Sequence, residues 1–203
     1  MSSLLPMFFK LAGRRCLVVG AGAAAEPKIE SLLRAGGETL VIAPKATSKV
    51  KQWAIEGKLA WWPWAFHPAD LDGKFLVIAV TSSPEVNQLV FKEAREKNVL
   101  CNVVDDPEHC DLHFPAVVQR GPLQIAISTG GLCPALAQRI RQDLEQQFGI
   151  EYEAWLEQLG NTGRELLATP MDPVHRLVLL HSLASREGFR EFMQRRFTRR
   201  VPA

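Results

Sequence analysis

Long apolar runs, paired cysteines and a large charge imbalance are all missing from this 203-residue chain, and each absence removes a class of function. The opening stretch MSSLLPMFFKLAGRR holds an apolar patch too short to cross a membrane, and its basic residues follow that patch instead of preceding it. No signal peptide is therefore expected. The four cysteines, Cys16, Cys101, Cys110 and Cys133, form no CxxC pair and no finger-like spacing, and two of them sit inside apolar strand-like runs. Reduced thiols in a cytoplasm are the expectation. The formal net charge of +2 is too small for a protein that grips a nucleic-acid backbone by bulk electrostatics. Neither nucleic acid nor membrane is expected as a partner, and no internal repeat or low-complexity tract appears.

What is present is a 47% hydrophobic chain, enough for one substantial core and a smaller second unit. RRCLVV, residues 14–19, is an apolar run that ends in Gly20-Ala21-Gly22-Ala23-Ala24-Ala25, and a helical pattern through Ala35 follows. That order reads as strand, tight turn, helix. Gly36-Gly37 stops the helix, and GETLVIAP supplies the second strand of a βαβ unit. The alternation predicts a helix near 46–56, strands near 58–62 and 74–80, a helix over PEVNQLVFKEAREK and a strand over 99–104. A mainly parallel sheet covered on both faces follows, an α/β fold of Rossmann type.

Residues 114–128 break the pattern, because two β-rich runs flank Arg120-Gly121-Pro122 as in a hairpin. A helix is expected from Pro134. Beyond residue 150, EYEAWLEQL, DPVHRLVLLHSLA and REGFREFMQRRF read as helices joined at Gly, Asn and Pro signals. The expected division is a nucleotide-binding domain over 1–112, a hairpin-plus-helix region for dimerisation and substrate over 113–150, and a helical module over 151–203. Residues 186–200 hold six Arg against two Glu, a basic helix whose default reading is a solvated face.

A dinucleotide's pyrophosphate needs free backbone N–H groups at a helix N-terminus and a turn without obstructing side chains, which Gly20 and Gly22 supply directly after a strand. Ala25 takes the place of the third glycine of that fingerprint. The acidic residue expected some 20 residues on is replaced by Ala43-Pro44-Lys45. Lys45 suits a 2′-phosphate, which leaves NADP open beside NAD.

Taken in order, LPMFFKLAGRRCLVVGAG, VIAP, VIAVTSSPEVNQLV, CNVVDDPEHCDLHFPAVVQRGPL and AISTGGLCPALAQRIR resemble the precorrin-2 dehydrogenase and sirohydrochlorin ferrochelatase family, including the N-terminal part of fused siroheme synthases. The resemblance implies NAD as hydride acceptor, precorrin-2 as substrate and sirohydrochlorin as product. Some family members also insert Fe²⁺ or Co²⁺. By position it places nucleotide contacts on Gly20, Gly22, Ala23, Ala24, Pro44 and Lys45 and around Ala79 and Thr81, and it places the key acid on Asp105. It also implies a homodimer. The chain departs from the family where Pro27 stands for an Arg and where Thr81-Ser82-Ser83 stands for Thr-Asp-Asp. No methyltransferase domain follows residue 203, so a stand-alone member is expected.

The chemistry asks for a base beside the nicotinamide and polar groups for the substrate's carboxylates. Asp105, at the end of a strand on the carboxyl edge of the sheet, suits the base, and Asp106 reads as a turn former. Asn102, His113 and Arg120 are polar candidates for substrate, and Ser128-Thr129-Gly130 before a helix is an anion-favouring start or a simple N-cap. His109, Cys110 and His113 lack an established metal-ligand spacing, so no resident metal is expected. Trp53, Trp61, Trp62 and Trp64 read as a stacking platform or, more ordinarily, as core. The competing class is a non-catalytic sensor that binds a dinucleotide or tetrapyrrole.

Overall fold

The computed structural model describes residues 4–198, and the side chains of 4–196. Contacts divide the chain into two compact units, Met1–Phe114 and Pro115–Ala203.

The first unit is built on five parallel strands: β1 (Arg15–Val19), β2 (Glu38–Ile42), β3 (Ala60–Trp62), β4 (Leu76–Ala79) and β5 (Leu100–Val103). Their order is β3-β2-β1-β4-β5, so the chain reverses its direction of travel between β1 and β4. The strands carry almost unbroken apolar runs because both faces of the sheet are covered. Alternate side chains serve opposite faces. Cys16, Val18, Val41 and Ile78 pack with Ala25, with Ile29 and Leu32 of α1 (Glu26–Arg34) and with Val50 of α2 (Ser48–Ile55). Leu17, Val19, Ile42, Val77, Ala79, Cys101 and Val103 pack with Val90 and Ala94 of α3 (Pro84–Glu96) and with Leu71. Each fully buried Val, Leu or Ile among them contributes about 1.5–3 kcal/mol.

The helix boundaries have local causes. Gly36 adopts φ +77, and the amides of Gly36 and Gly37 return to the carbonyls of Leu33 and Leu32, closing α1 where the glycine pair predicts. Thr47 and Ser83 cap α2 and α3 by accepting from the Val50 and Val86 amides, each at 3.3 Å. β3 is shorter than the expected 58–62 strand because Lys58 and Leu59 belong to the turn that precedes it.

In the second unit, β6 (Ala116–Arg120) and β7 (Leu123–Ile127) form the expected antiparallel hairpin, with Val118 opposite Ile125. α4 (Pro134–Gln147), α5 (Glu151–Ala168), α6 (Pro173–Leu183) and α7 (Arg186–Thr198) follow. One expectation fails here. The break signals Gly160, Asn161 and Gly163 do not end α5, which runs through them to Ala168, and a Cβ on Gly163 would stand 3.8 Å from Leu180 of α6. Packing against the neighbouring helix overrides the weak helical propensity of these residues. The rings of Tyr152, Trp155 and Phe189 pack together with centroids 4.6–5.5 Å apart and hold α5 to α7. Of the basic residues on the last helix, Arg195 pairs with Glu191 at 3.6 Å. Arg199 and Arg200 lie outside the described residues. No helix among the described residues is long and apolar enough to cross a membrane.

Candidate functional site

The candidate site lies at the carboxyl edge of the parallel sheet, on either side of the β1/β4 reversal where doubly wound folds open a crevice. Gly20 leaves β1 at φ +113, and a Cβ there would meet the Val80 carbonyl oxygen at 2.3 Å. Glycine is thus required by the close approach of the β4 end. Gly22 is different, since nothing lies within 4 Å of a Cβ placed on it, and the space above the turn is open. The Gly20 amide donates to Ile42 at 2.9 Å and the Thr47 amide to Ala21 at 3.1 Å, so the end of β2 and the start of α2 fix the turn from one side. Thr47 is a residue that the sequence reading passes over.

α1 starts without a side-chain cap at Ala25, and no hydrogen bond of the Ala23 or Ala24 amide is present among the described residues. Gly22, Ala23 and Ala24 are exposed while Ala25 is fully buried against the sheet. Unpaired N–H groups at the positive end of a nine-residue helix beside open space fit a phosphate. The residues present therefore fit the pyrophosphate of a dinucleotide. Pro44 and Lys45 stand exposed just beyond β2, after the buried Ala43.

On the other side of the reversal, Ala79 is buried at the end of β4 and Thr81 is half-buried beyond it. Asn87, also unremarked in the sequence, holds Thr81. Its Oδ1 accepts from the Thr81 amide at 3.2 Å and from the Thr81 hydroxyl at 2.8 Å, and its Nδ2 donates to the Thr81 carbonyl at 3.2 Å.

Asp105 follows β5 with φ +63, a left-handed conformation that few side chains other than Asn and Asp adopt. Its side chain is exposed at the edge. Asp106 is the turn former: its Oδ2 lies 2.7 Å from His109 Nδ1, and its carbonyl accepts from the His109 amide. Asn102 is buried in β5, and its amide nitrogen donates to the Leu112 carbonyl at 2.9 Å and to Cys110 Sγ at 3.3 Å. The Cys110 thiol donates in turn to the Val103 and Asp106 carbonyls. These bonds close the loop of 104–112 back onto β5. His113 is half-buried just after it.

Lys28 is another residue that the sequence reading leaves without a role. It sits half-buried in the first turns of α1, with its ammonium 4.3 Å from the centroid of the Phe114 ring. Burial pushes its pKa below the usual lysine value, and the Asp105 carboxylate opposes that shift.

In the second unit, Arg120 spends its guanidinium on main-chain carbonyls, of Phe148 at 2.8 Å, Gln119 at 2.9 Å and Glu145 at 3.1 Å, and so closes the end of α4. The Ser128 hydroxyl accepts from the Gly130 amide at 3.1 Å and the Thr129 hydroxyl from the Cys133 amide at 3.2 Å. Both hydroxyls shape the turn before α4, and Gly130 stays exposed within it.

The tryptophans divide. Trp53 and Trp61 pack against the core, with Trp61 Nε1 donating to Ala43 at 3.0 Å, whereas Trp62 and Trp64 lie on the surface with rings 4.7 Å apart. No cluster of three or more His, Cys, Asp or Glu among the described residues is placed to hold a metal ion.

Comparison with known proteins decides the family. Residues 7–116 match the model of a family described as "Putative NAD(P)-binding". The chain belongs to that family. Residues 120–147 of this NAD(P)-binding chain match a second model, described as the central part of a sirohaem biosynthesis protein. The siroheme synthase of Photorhabdus laumondii is 45% identical over 141 residues, and siroheme synthase 1 of Aeromonas hydrophila is 43% identical over the same length. In both cases the alignment covers 70% of this chain and 30% of the relative, so the chain spans about a third of the length of these curated proteins. A solved structure described as "SirC, precorrin-2 dehydrogenase" superposes with a TM-score of 0.80 at 26% identity, covering 95% of this chain and 98% of that one. The likeness to the precorrin-2 dehydrogenase and siroheme synthase family read from the motifs is upheld, as is the α/β fold with its hairpin and C-terminal helices.

Proposed function

We propose that this chain is an NAD-dependent precorrin-2 dehydrogenase that forms sirohydrochlorin in siroheme assembly. The observation that carries the reading is the sheet edge of the first unit, where an uncapped helix start suited to pyrophosphate and the Asp105 carboxylate stand on opposite sides of the β1/β4 reversal. Likeness to a protein described as a precorrin-2 dehydrogenase supports the substrate.

On this reading Gly20 and Gly22 keep the turn open, and the Ala23 and Ala24 amides take the pyrophosphate. Pro44, Lys45, Ala79 and Thr81 would make further contacts with the nucleotide, and Asn87 holds Thr81 in place. Bound NAD supplies a hydride acceptor. The macrocycle loses a hydride and a proton, and Asp105 takes the proton as general base. Asn102 keeps the Asp105 loop closed, and His113 offers a polar contact beside it. In the second unit, the turn of Ser128, Thr129 and Gly130 is a candidate seat for a substrate carboxylate, and Arg120 fixes the end of α4 close by in sequence.

Insertion of Fe²⁺ or Co²⁺ as a substrate belongs to the same proposal: two pyrrole N–H protons must leave, and the exposed Asp105 would take them one at a time and release each to water. A homodimer working in the cytoplasm completes the reading, with residues 1–112 binding the nucleotide, 113–150 serving dimerisation and substrate, and 151–203 forming the helical module. Anaerobic, metal-free incubation of purified protein with precorrin-2 and NAD tests it. NADH and sirohydrochlorin are expected to appear together, and sirohydrochlorin without NADH, or no product, refutes it.

A further inference from the structure

Asp105 and Thr81 occupy matching places at the carboxyl edge of the sheet. Ala79 of β4 and Val103 of β5 are paired in register, the Val104 amide donates to the Ala79 carbonyl at 3.0 Å, and each of the two residues stands two places beyond that pair. Both are braced from α3. Asn87 holds Thr81 through three hydrogen bonds. Phe91, one helical turn on and therefore on the same face, meets the ring of His109 edge-on with centroids 4.9 Å apart. The Arg95 guanidinium, a further turn along, lies 5.7 Å from the centroid of the same Phe91 ring.

His109 passes that brace to the acid. Its Nδ1 lies 2.7 Å from Asp106 Oδ2 and its amide donates to the Asp106 carbonyl at 3.2 Å, so it grips, by side chain and main chain, the residue that follows Asp105. Asn102, Cys110 and Asp111 tie the loop back to β5, whereas His109 ties it to a second element. The left-handed backbone of Asp105, at φ +63, persists only where surrounding contacts fix it. We propose that His109 is the positioning residue of Asp105: locked between Asp106 and Phe91, it sets the acid's loop against the face of α3 that also holds Thr81. The catalytic consequence rests on the dehydrogenase reading, while the latch itself stands on the fold.

Two measurements test it. Amide hydrogen exchange, followed by NMR, compares the parent with His109→Ala. The amides of Asp106 and Asp111 are expected to exchange about tenfold faster or more in the variant while those of Val77 and Ile78 in β4 keep the parent rate. Unchanged exchange in the loop, or equal acceleration in β4, overturns the latch. The second measurement is steady-state turnover of precorrin-2 with NAD. His109→Ala is expected to lower kcat about tenfold or more with little change in the KM for NAD. His109→Asn, whose amide nitrogen takes the place of Nδ1, should recover much of that loss. Phe91→Leu, which keeps the apolar packing and removes the ring edge, should lower kcat and add little in the His109→Ala background. Full kcat in His109→Ala, a raised KM for NAD at unchanged kcat, or an Asn variant no better than the Ala variant overturns the positioning role. Should His109→Ala fold poorly by circular dichroism, His109→Phe, which keeps a ring and loses the bond to Asp106, carries the same comparison. A parent protein without turnover defeats the dehydrogenase reading and leaves hydrogen exchange to decide the latch.

Discussion

The side-chain amide of Asn102 donates to the Leu112 carbonyl at 2.9 Å, so a buried residue in β5 holds the far end of the loop that carries Asp105. Substitution Asn102→Ala leaves that carbonyl without its donor. A buried group stripped of its partner costs about 1–3 kcal/mol. Denaturant unfolding is expected to show a loss of that size, and turnover should fall more than NAD affinity does because the acid's loop is loosened.

Gly20 and Gly22 should respond to the same change in opposite ways. At Gly20 a methyl group would collide with the Val80 carbonyl at φ +113, whereas at Gly22 it meets open space. Gly20→Ala is expected to destabilise the protein by at least about 1–3 kcal/mol, the scale of a single strained backbone position. Gly22→Ala should unfold like the parent and bind NAD more weakly, because the open space is where the phosphate comes. Paired thermal melts and NADH fluorescence titrations separate the two effects.

Asp105 carries backbone strain at φ +63 in addition to its proposed chemistry. Glycine relieves that strain and alanine does not. Asp105→Gly should therefore be more stable than Asp105→Ala by about 1 kcal/mol, with both inactive. Equal stabilities in denaturant titration would show that the left-handed conformation costs nothing here.

The buried thiols set an alkaline limit. Burial, with help from Glu38, pushes Cys16 up from 9.0 to about 11, and burial with Asp111 and Cys110 pushes Cys101 up to about 12. A folded-state value above the unfolded one favours the protonated native form, so this contribution is intact below pH 9 and is lost as pH rises toward 11 and 12. Unfolding free energy should fall across that window, and less steeply in Cys101→Val. With a thiol reagent at pH 8, the exposed Cys133 should react first.

The sheet was legible in the sequence because its strands are almost unbroken apolar runs, as RCLVV and LVIA show. The glycine turn was legible for the same local reason. The path of α5 through Gly160 and Gly163 was not, since it depends on a contact with Leu180 of α6 that no local pattern encodes. At the site, Asp105 could be placed at a strand end, but its left-handed backbone could not, because the tight turn after β5 that imposes it has no sequence signal of its own. Asn87 and Thr47 escaped notice because each reads as an ordinary helix residue or cap until its partner is known.

The most direct test of the account is a single-turnover comparison of the parent and Asp105→Asn with precorrin-2 and NAD, without oxygen or metal, alongside NAD affinities. The parent should form NADH and sirohydrochlorin in equal amounts, and Asp105→Asn should bind NAD equally well yet slow the step by about 10²–10⁴, the range of a lost general base. Turnover by Asp105→Asn at the parent rate, or no hydride transfer by the parent to either NAD or NADP, would contradict it.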